Sequence, residues 1–166
     1  MIGAAAAVYA RPVEPSAPFV PAGFMPPSGL VTDAFVLEPL GPRHNQADYA
    51  AWTSSVPHIQ ATAGFAGGSW PHEMTLAENL GDLEMHERHF AERSGFTYSV
   101  LDPADGDVIG CVYIYPVVSE NYDARVLSWV RESRANLDAP LWRAVTEWLA
   151  SDWPFGSVEH APRLSS

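Results

Sequence analysis

The sequence contains no lysine. Its nine basic residues are all arginine, they face twenty acidic ones, and the formal net charge is −11. A chain that binds DNA or RNA neutralises phosphates with clustered basic side chains, so this deficit argues against nucleic acid as a partner. It suits cationic ligands such as amines instead, although an acidic surface also serves plain solubility. Cysteine is nearly missing as well: Cys111 stands alone, which excludes a disulfide within the chain. It lies in the apolar run VIGCVYIY, where a buried, unreactive thiol is expected. Long hydrophobic runs are also lacking. Proline and glycine interrupt the uncharged stretches, which fall short of the roughly 20 residues that a membrane helix needs. The opening MIGAAAAVYA has a short apolar run with no basic residue before it. We therefore read it as the flexible start of a cytoplasmic protein, not as a secretory signal.

What remains is a globular composition. The chain has 166 residues, 47% of them hydrophobic, which is enough for one domain with a sizeable core. Residues 1–32 are rich in alanine and proline, with six prolines between positions 11 and 32. Proline fixes φ and removes a donor, so this segment is neither helix nor central strand. Phe19, Val20, Phe24, Met25 and Leu30 are interleaved with the prolines, as in an extended arm laid on a domain that spans residues 33–166.

Along that domain, FVLEPL (residues 35–40) reads as a strand and residues 45–55 as a helix with Tyr49 and Trp52 inward. HIQATAGF offers a second, short helix. TLAE at Thr75–Glu78 is a capping box that starts a long helix, with Leu76, Leu80, Leu83 and Phe90 near one face. FTYSVLD and VIGCVYIYPV are strands joined by PADGD, a hairpin turn. ARVLSWV is the next strand, residues 140–151 a helix with Leu141, Val145, Trp148 and Leu149 on its apolar side, and SVEH a last short strand. The order β-α-α-α-β-β-β-α-β predicts an α/β fold with a mixed sheet.

That order, the βαβ unit at residues 124–160, and the segments GCVYIYP, SWVR, LWRAVTEWL and DWPFGSVEHAPR together resemble the GNAT superfamily of acetyl-CoA-dependent N-acetyltransferases, in a bacterial form with a proline-rich arm. The resemblance implies a mostly antiparallel, twisted sheet flanked by helices. It also implies an acetyl or acyl group moved from coenzyme A to an amine. In the superfamily the strand before the pyrophosphate loop holds the pantetheine through its backbone, which here means Leu127 to Arg131, with Trp129 and Val130 between them. The loop itself corresponds to RANLDAP, Arg134–Pro140, with Asn136 on one of the glycine positions of the family motif. In the superfamily a further helix and two strands follow the SVEH strand, and that helix often supplies a tyrosine that protonates the leaving thiolate. The sequence given offers no residue for that role, and the expected sheet edge would be covered by the arm or by a second chain in a homodimer.

The loop has no glycine. Pro140 lacks an N–H, and Asp138 as N-cap would place a carboxylate where the pyrophosphate belongs. Arg131 and Arg134 could offset this by pairing with phosphate, or could be ordinary loop charges. Weak acetyl-CoA binding is the expectation. Glu73 and His72, in a loop that often borders the acceptor cleft of this fold, are candidate general bases; helix-start chemistry is the simpler reading of an acidic residue there. His86 and His89 are spaced i, i+3 without a third ligand, so a solvated helix face is expected and not a metal site. Two functions stay open. One is an N-acyltransferase acting on a small-molecule amine or other cationic acceptor. The other is a catalytically inactive small-ligand-binding or protein-interaction module of the same fold, with a structural partner subunit as a weaker variant.

Overall fold

The computed structural model describes residues 17–163. The opening MIGAAAAVYA therefore lies outside the described residues. Six strands form one sheet in the order of the chain: β1 (Leu30–Val31), β2 (Val36–Pro39), β3 (Phe96–Leu101), β4 (Val108–Tyr115), β5 (Ala124–Val130) and β6 (Val158–His160). Neighbours are antiparallel up to β5, and β6 alone runs parallel to its neighbour. The helices are α1 (Asn45–Thr53), α2 (Val56–Ala61), α3 (Leu76–Glu92) and α4 (Asp138–Asp152). A parallel pair needs a crossover, and α4 supplies it between β5 and β6.

Strand alternation assigns one core to each face of the sheet. Cys111, Tyr113, Tyr115, Leu127 and Trp129 pack with Trp52 of α1, Ile59 of α2 and Leu83 of α3. Val112, Ile114, Val126 and Val130 pack with Leu141, Val145, Trp148 and Leu149 of α4. These four α4 positions are the apolar side predicted from the sequence. The register slips between Val100 and Leu101, so that Ile109 faces α4 and Val108 the other core.

The proline-rich segment is packed in part. Val20 is fully buried, Phe19 stacks on Phe96 and Phe155 at 5.9 and 5.2 Å, and Phe24 lies 5.3 Å from Trp153. The Tyr98 hydroxyl donates to the carbonyl of Pro27 at 2.6 Å, and Leu30 pairs with Leu37 as part of β1. Met25 departs from expectation: it is 80% exposed, because its neighbours and not Met25 itself face the sheet.

Helix α3 also departs from its predicted face. Thr75 caps it as expected, accepting from the Glu78 N–H at 3.1 Å. Leu76 is exposed, however, and the buried positions are Asn79, Asp82, Leu83, Met85 and His86. The helix is turned so that polar side chains enter the sheet face. Each finds a partner there, so the apolar periodicity pointed about a quarter-turn away.

Deleting residues 1–29 removes the Val20, Phe19 and Phe24 contacts. Burial of about 1.5–3 kcal/mol per large apolar side chain, discounted for the half-buried ones, implies a loss of several kcal/mol. We expect the melting temperature to fall by roughly 5–10 °C. Thermal unfolding followed by circular dichroism checks this, and an unchanged curve would show that the contacts contribute nothing.

Candidate functional site

β5 is hydrogen-bonded to β4 over its length, from Ala124's neighbour Arg125 to Val130, but to β6 at only three positions: Ala124 with Val158, Arg125 with Glu159 and Val126 with His160. Beyond Val126 the two strands part. A cavity of about 490 Å³ lies against the end of this pairing, lined by Arg125, Val126 and Leu127 from β5 and by Glu159, His160 and Ala161 from β6 and its exit. Gly64 packs over it from the loop after α2. Its φ is +95°, and a Cβ there would collide with the Leu127 side chain, so only glycine lets that loop lie so close to β5.

The Arg163 side chain spans the opening. Its Nε donates to Asp138 Oδ2 at 2.7 Å. Nη1 donates to the carbonyls of Ala161 at 3.0 Å and Ala63 at 3.3 Å, and Nη2 to the carbonyl and hydroxyl of Ser128 at 2.7 and 3.3 Å. Every one of the five guanidinium N–H groups thus has an acceptor. The side chain is 8% exposed, against 22% for Asp138. His160 lies at the same place, 3.4 Å from the Ser128 hydroxyl. Burial, helped by the charge of Arg163, holds its pKa down at about 4, so it is neutral at pH 7.

Asp138 was expected to cap α4, and it does not. Leu137 occupies the cap position with no side-chain bond, and Asp138 is already helical. A 3₁₀ turn at Glu132–Leu137 leads directly into the helix, so the Asp138 N–H donates to the carbonyl of Ala135 and needs no carboxylate. The carboxylate turns to Arg163 instead. Its second oxygen, Oδ1, is buried without a hydrogen-bond partner.

The structure separates the residues that the sequence grouped as a cofactor site. Leu127 alone lines the opening with its side chain. Trp129 and Val130 are fully buried in opposite cores, Trp129 donating to the Tyr113 hydroxyl at 3.0 Å. Arg131 pairs with Asp107 at 3.3 Å and Arg134 with Asp102 at 2.7 Å. Arg134 and Asn136 line a different cavity, of about 500 Å³, with Asp33 and Asp102. Three N–H groups leading into the loop are committed as well: Arg131 to the Ile109 carbonyl, Glu132 to the Ser55 hydroxyl at 2.8 Å, and Arg134 to the Arg131 carbonyl. A pyrophosphate therefore finds no glycine-shaped room here, and these donors are not free to meet it. His72 is half-buried, with Nδ1 3.0 Å from the Glu73 carbonyl, and Glu73 is exposed.

A second polar cluster lies between α1, α3 and β4, and its histidines correct the expectation of a solvated helix face. Asn79 donates to Asp48 at 3.1 Å and to Asn45 at 2.8 Å, and accepts from Trp52 at 3.0 Å. His86 is 3% exposed and lies 2.8 Å from the Tyr115 hydroxyl and 3.0 Å from that of Thr97, while His89 reaches the same Tyr115 hydroxyl at 2.9 Å. Asp48, Asp82, His86, Tyr113, Asn79 and Trp70 enclose about 20 Å³, room for a single water and not for an acceptor. Among the described residues no group of three or more His, Cys, Asp or Glu side chains is arranged to hold a metal ion, and no helix is long and apolar enough to cross a membrane. Sequence reading missed Arg163, Asp48 and Asn79. None sits on a periodic apolar face or in a spaced motif.

No family model matches the chain, and no curated protein matches it in sequence. Solved structures share its fold. The ribosomal-protein-S5-alanine acetyltransferase of Vibrio fischeri superposes with a TM-score of 0.56 at 13% identity, over 73% of this chain and 66% of that one. A Bordetella pertussis protein described as a GNAT-family acetyltransferase gives 0.54 at 17% identity, over 75% and 71%. The microcin C7 self-immunity acetyltransferase, solved with acetyl-CoA and AMP, gives 0.55 at 12% identity, over 75% and 66%. The chain thus has the GNAT fold and spans about two thirds of the length of these neighbours.

Asp48 and His86 supply a test of the buried cluster. Burial, reinforced by Asp82, raises the Asp48 pKa to about 7, and burial lowers that of His86 to about 3. Between pH 4 and 6.5 the folded protein holds a proton on Asp48 that the unfolded chain has lost. It lacks one on His86 that the unfolded chain carries. The first makes stability fall as pH rises, the second makes it rise, and the two slopes oppose. Asp48→Asn removes the first. Its stability relative to the unchanged protein should grow as pH rises from about 4 to about 7, at up to about 1.4 kcal/mol per unit. Urea unfolding across this range measures the difference, and a constant difference would contradict the assignment.

Proposed function

We propose that the protein is a GNAT-fold N-acyltransferase that takes its donor, a coenzyme A thioester, at the opening between β5 and β6 and its acceptor, a small amine or other cationic group, from the acidic surface. The single observation that supports this reading is the parting of β5 and β6 after Val126, beside a cavity of about 490 Å³. A pantetheine chain is slender and amide-bearing. It suits a gap in a sheet where backbone groups would otherwise be left unpaired. On this reading Leu127 and its backbone neighbours would orient the donor arm, and His72 or Glu73 would accept the amine proton. The net charge of −11 would concentrate cations near the cleft. We also propose a cytoplasmic location and a homodimer that covers the three-residue edge strand β6.

A second reading is favoured by the loop. With several of its N–H groups committed and Arg131 and Arg134 paired to Asp107 and Asp102, it would offer little to a pyrophosphate. The fold would then serve ligand or protein binding without catalysis. On either reading affinity for acetyl-CoA should be weak, with a dissociation constant above roughly 100 µM. Thiol release from acetyl-CoA at millimolar concentration, with and without a panel of primary amines, separates the two. Amine-dependent release by the purified full chain is the expected result. Release no faster than the uncatalysed background with every amine would remove the transferase reading and leave the binding module.

A further inference from the structure

Next to the cavity, the stretch of β5 that β6 does not pair is occupied by a cation. Arg163 makes five hydrogen bonds there: one to a carboxylate, three to backbone carbonyls and one to a hydroxyl. The acceptors come from four separate parts of the chain. Ser128 is in β5, Asp138 opens α4, Ala63 is in the loop after α2, and Ala161 follows β6. Converging carbonyls and a carboxylate form a cage for a planar, five-donor cation, which is the shape and charge of a guanidinium and of no other side chain.

We infer that the stretch of β5 past Val126 is a guanidinium site whose internal ligand is Arg163, and that a donor thioester extends from the cavity along that stretch only by displacing that side chain. The second half rests on the proposed donor site; the first stands on the geometry alone. Displacement is opposed by several contacts at once. Removing the guanidinium leaves Asp138 half-buried with no counter-charge, since its other oxygen already lacks a partner. It also deprives the Ser128 carbonyl, which β6 does not reach, of the Nη2 donor at 2.7 Å. Displacement remains feasible because the side chain comes from an irregular segment after β6. The carbonyls it leaves can turn to the amide N–H groups of a pantetheine. Arg163 thus decides which ligands enter. Cations that mimic it compete for the same cage, and anions at this position meet Asp138.

Isothermal calorimetry with acetyl-CoA, on the full chain and on Arg163→Ala and Arg163→Lys, tests the displacement. An ammonium has three donors on a point charge and cannot satisfy the planar cage. Both variants should bind at least about tenfold more tightly than the unchanged protein. Thermal unfolding tests the site itself. Arg163→Ala should melt lower than the unchanged protein and regain stability with millimolar ethylguanidinium, but not with ethylammonium. If Arg163→Ala does not fold, Asp138→Asn, which keeps the shape and removes the charge, carries the calorimetric test. Equal binding by all proteins, whatever the affinity, would overturn the gate and leave the donor reading standing. No binding by any of them would overturn both. Equal stabilisation by the two cations would overturn the guanidinium site.

Discussion

β5 has two neighbours of unequal length, and much of the molecule follows from that. On one side β4 satisfies it from end to end; on the other β6 stops after three residues. Backbone carbonyls past that point cannot be buried without donors. A longer β6 would have closed the sheet. Here the chain turns away after His160, and three residues later a single side chain returns to supply the donors. Because the guanidinium also reaches Asp138 and Ala63, it ties the start of α4 and the loop after α2 to the same strand. One side chain thus joins both layers that flank the sheet.

The face behind β4 obeys a different constraint. α1 and α3 press Asp48, Asn79 and His86 against a strand whose own side chains there are Cys111, Tyr113 and Tyr115. Burying an unpaired amide or imidazole costs a few kcal/mol, so such groups persist only when partnered. Asn79 uses both ends of its amide on Asp48, Asn45 and Trp52. The Tyr115 hydroxyl has one proton for two imidazole nitrogens, so His86 and His89 cannot both accept from it; one of them donates. The network therefore fixes the rotation of α3 more narrowly than apolar packing would, because a turn in either direction breaks several bonds at once.

How much of this the sequence carried depends on the kind of signal. The strands and α4 were legible, since Leu141, Val145, Trp148 and Leu149 repeat at helical spacing and PADGD announces its hairpin, where Gly106 adopts φ +74°. The Thr75 cap was legible for the same local reason. The rotation of α3 was not, because a helix that buries Asn79, Asp82 and His86 has no apolar stripe to betray it. Asp138 misled because aspartate before a helix usually caps, and nothing local shows that a 3₁₀ turn already satisfies its N–H. Arg163 carried no local signal at all. Its partners are 2 to 100 residues away, and long-range pairing of one arginine leaves no trace in composition or periodicity.

The fold and the loop point in different directions, and charge explains how they coexist. A pyrophosphate cradle works by leaving several N–H groups unused at a helix start, which gives a concentrated positive potential. In this chain the 3₁₀ turn spends those donors on Ile109, Ser55, Arg131 and Ala135, and α4 begins with a carboxylate and a proline at its third position. With fewer unused donors and a carboxylate at its start, this end of the helix suits a cation better than an anion. A cation is what lies there. Arginine on Asp138 is thus the electrostatic counterpart of phosphate on a glycine-rich turn: the same place in the fold, with both charges inverted. On the proposed donor reading, a nucleotide-bearing ligand would then rely on its pantetheine arm more than on phosphate contacts.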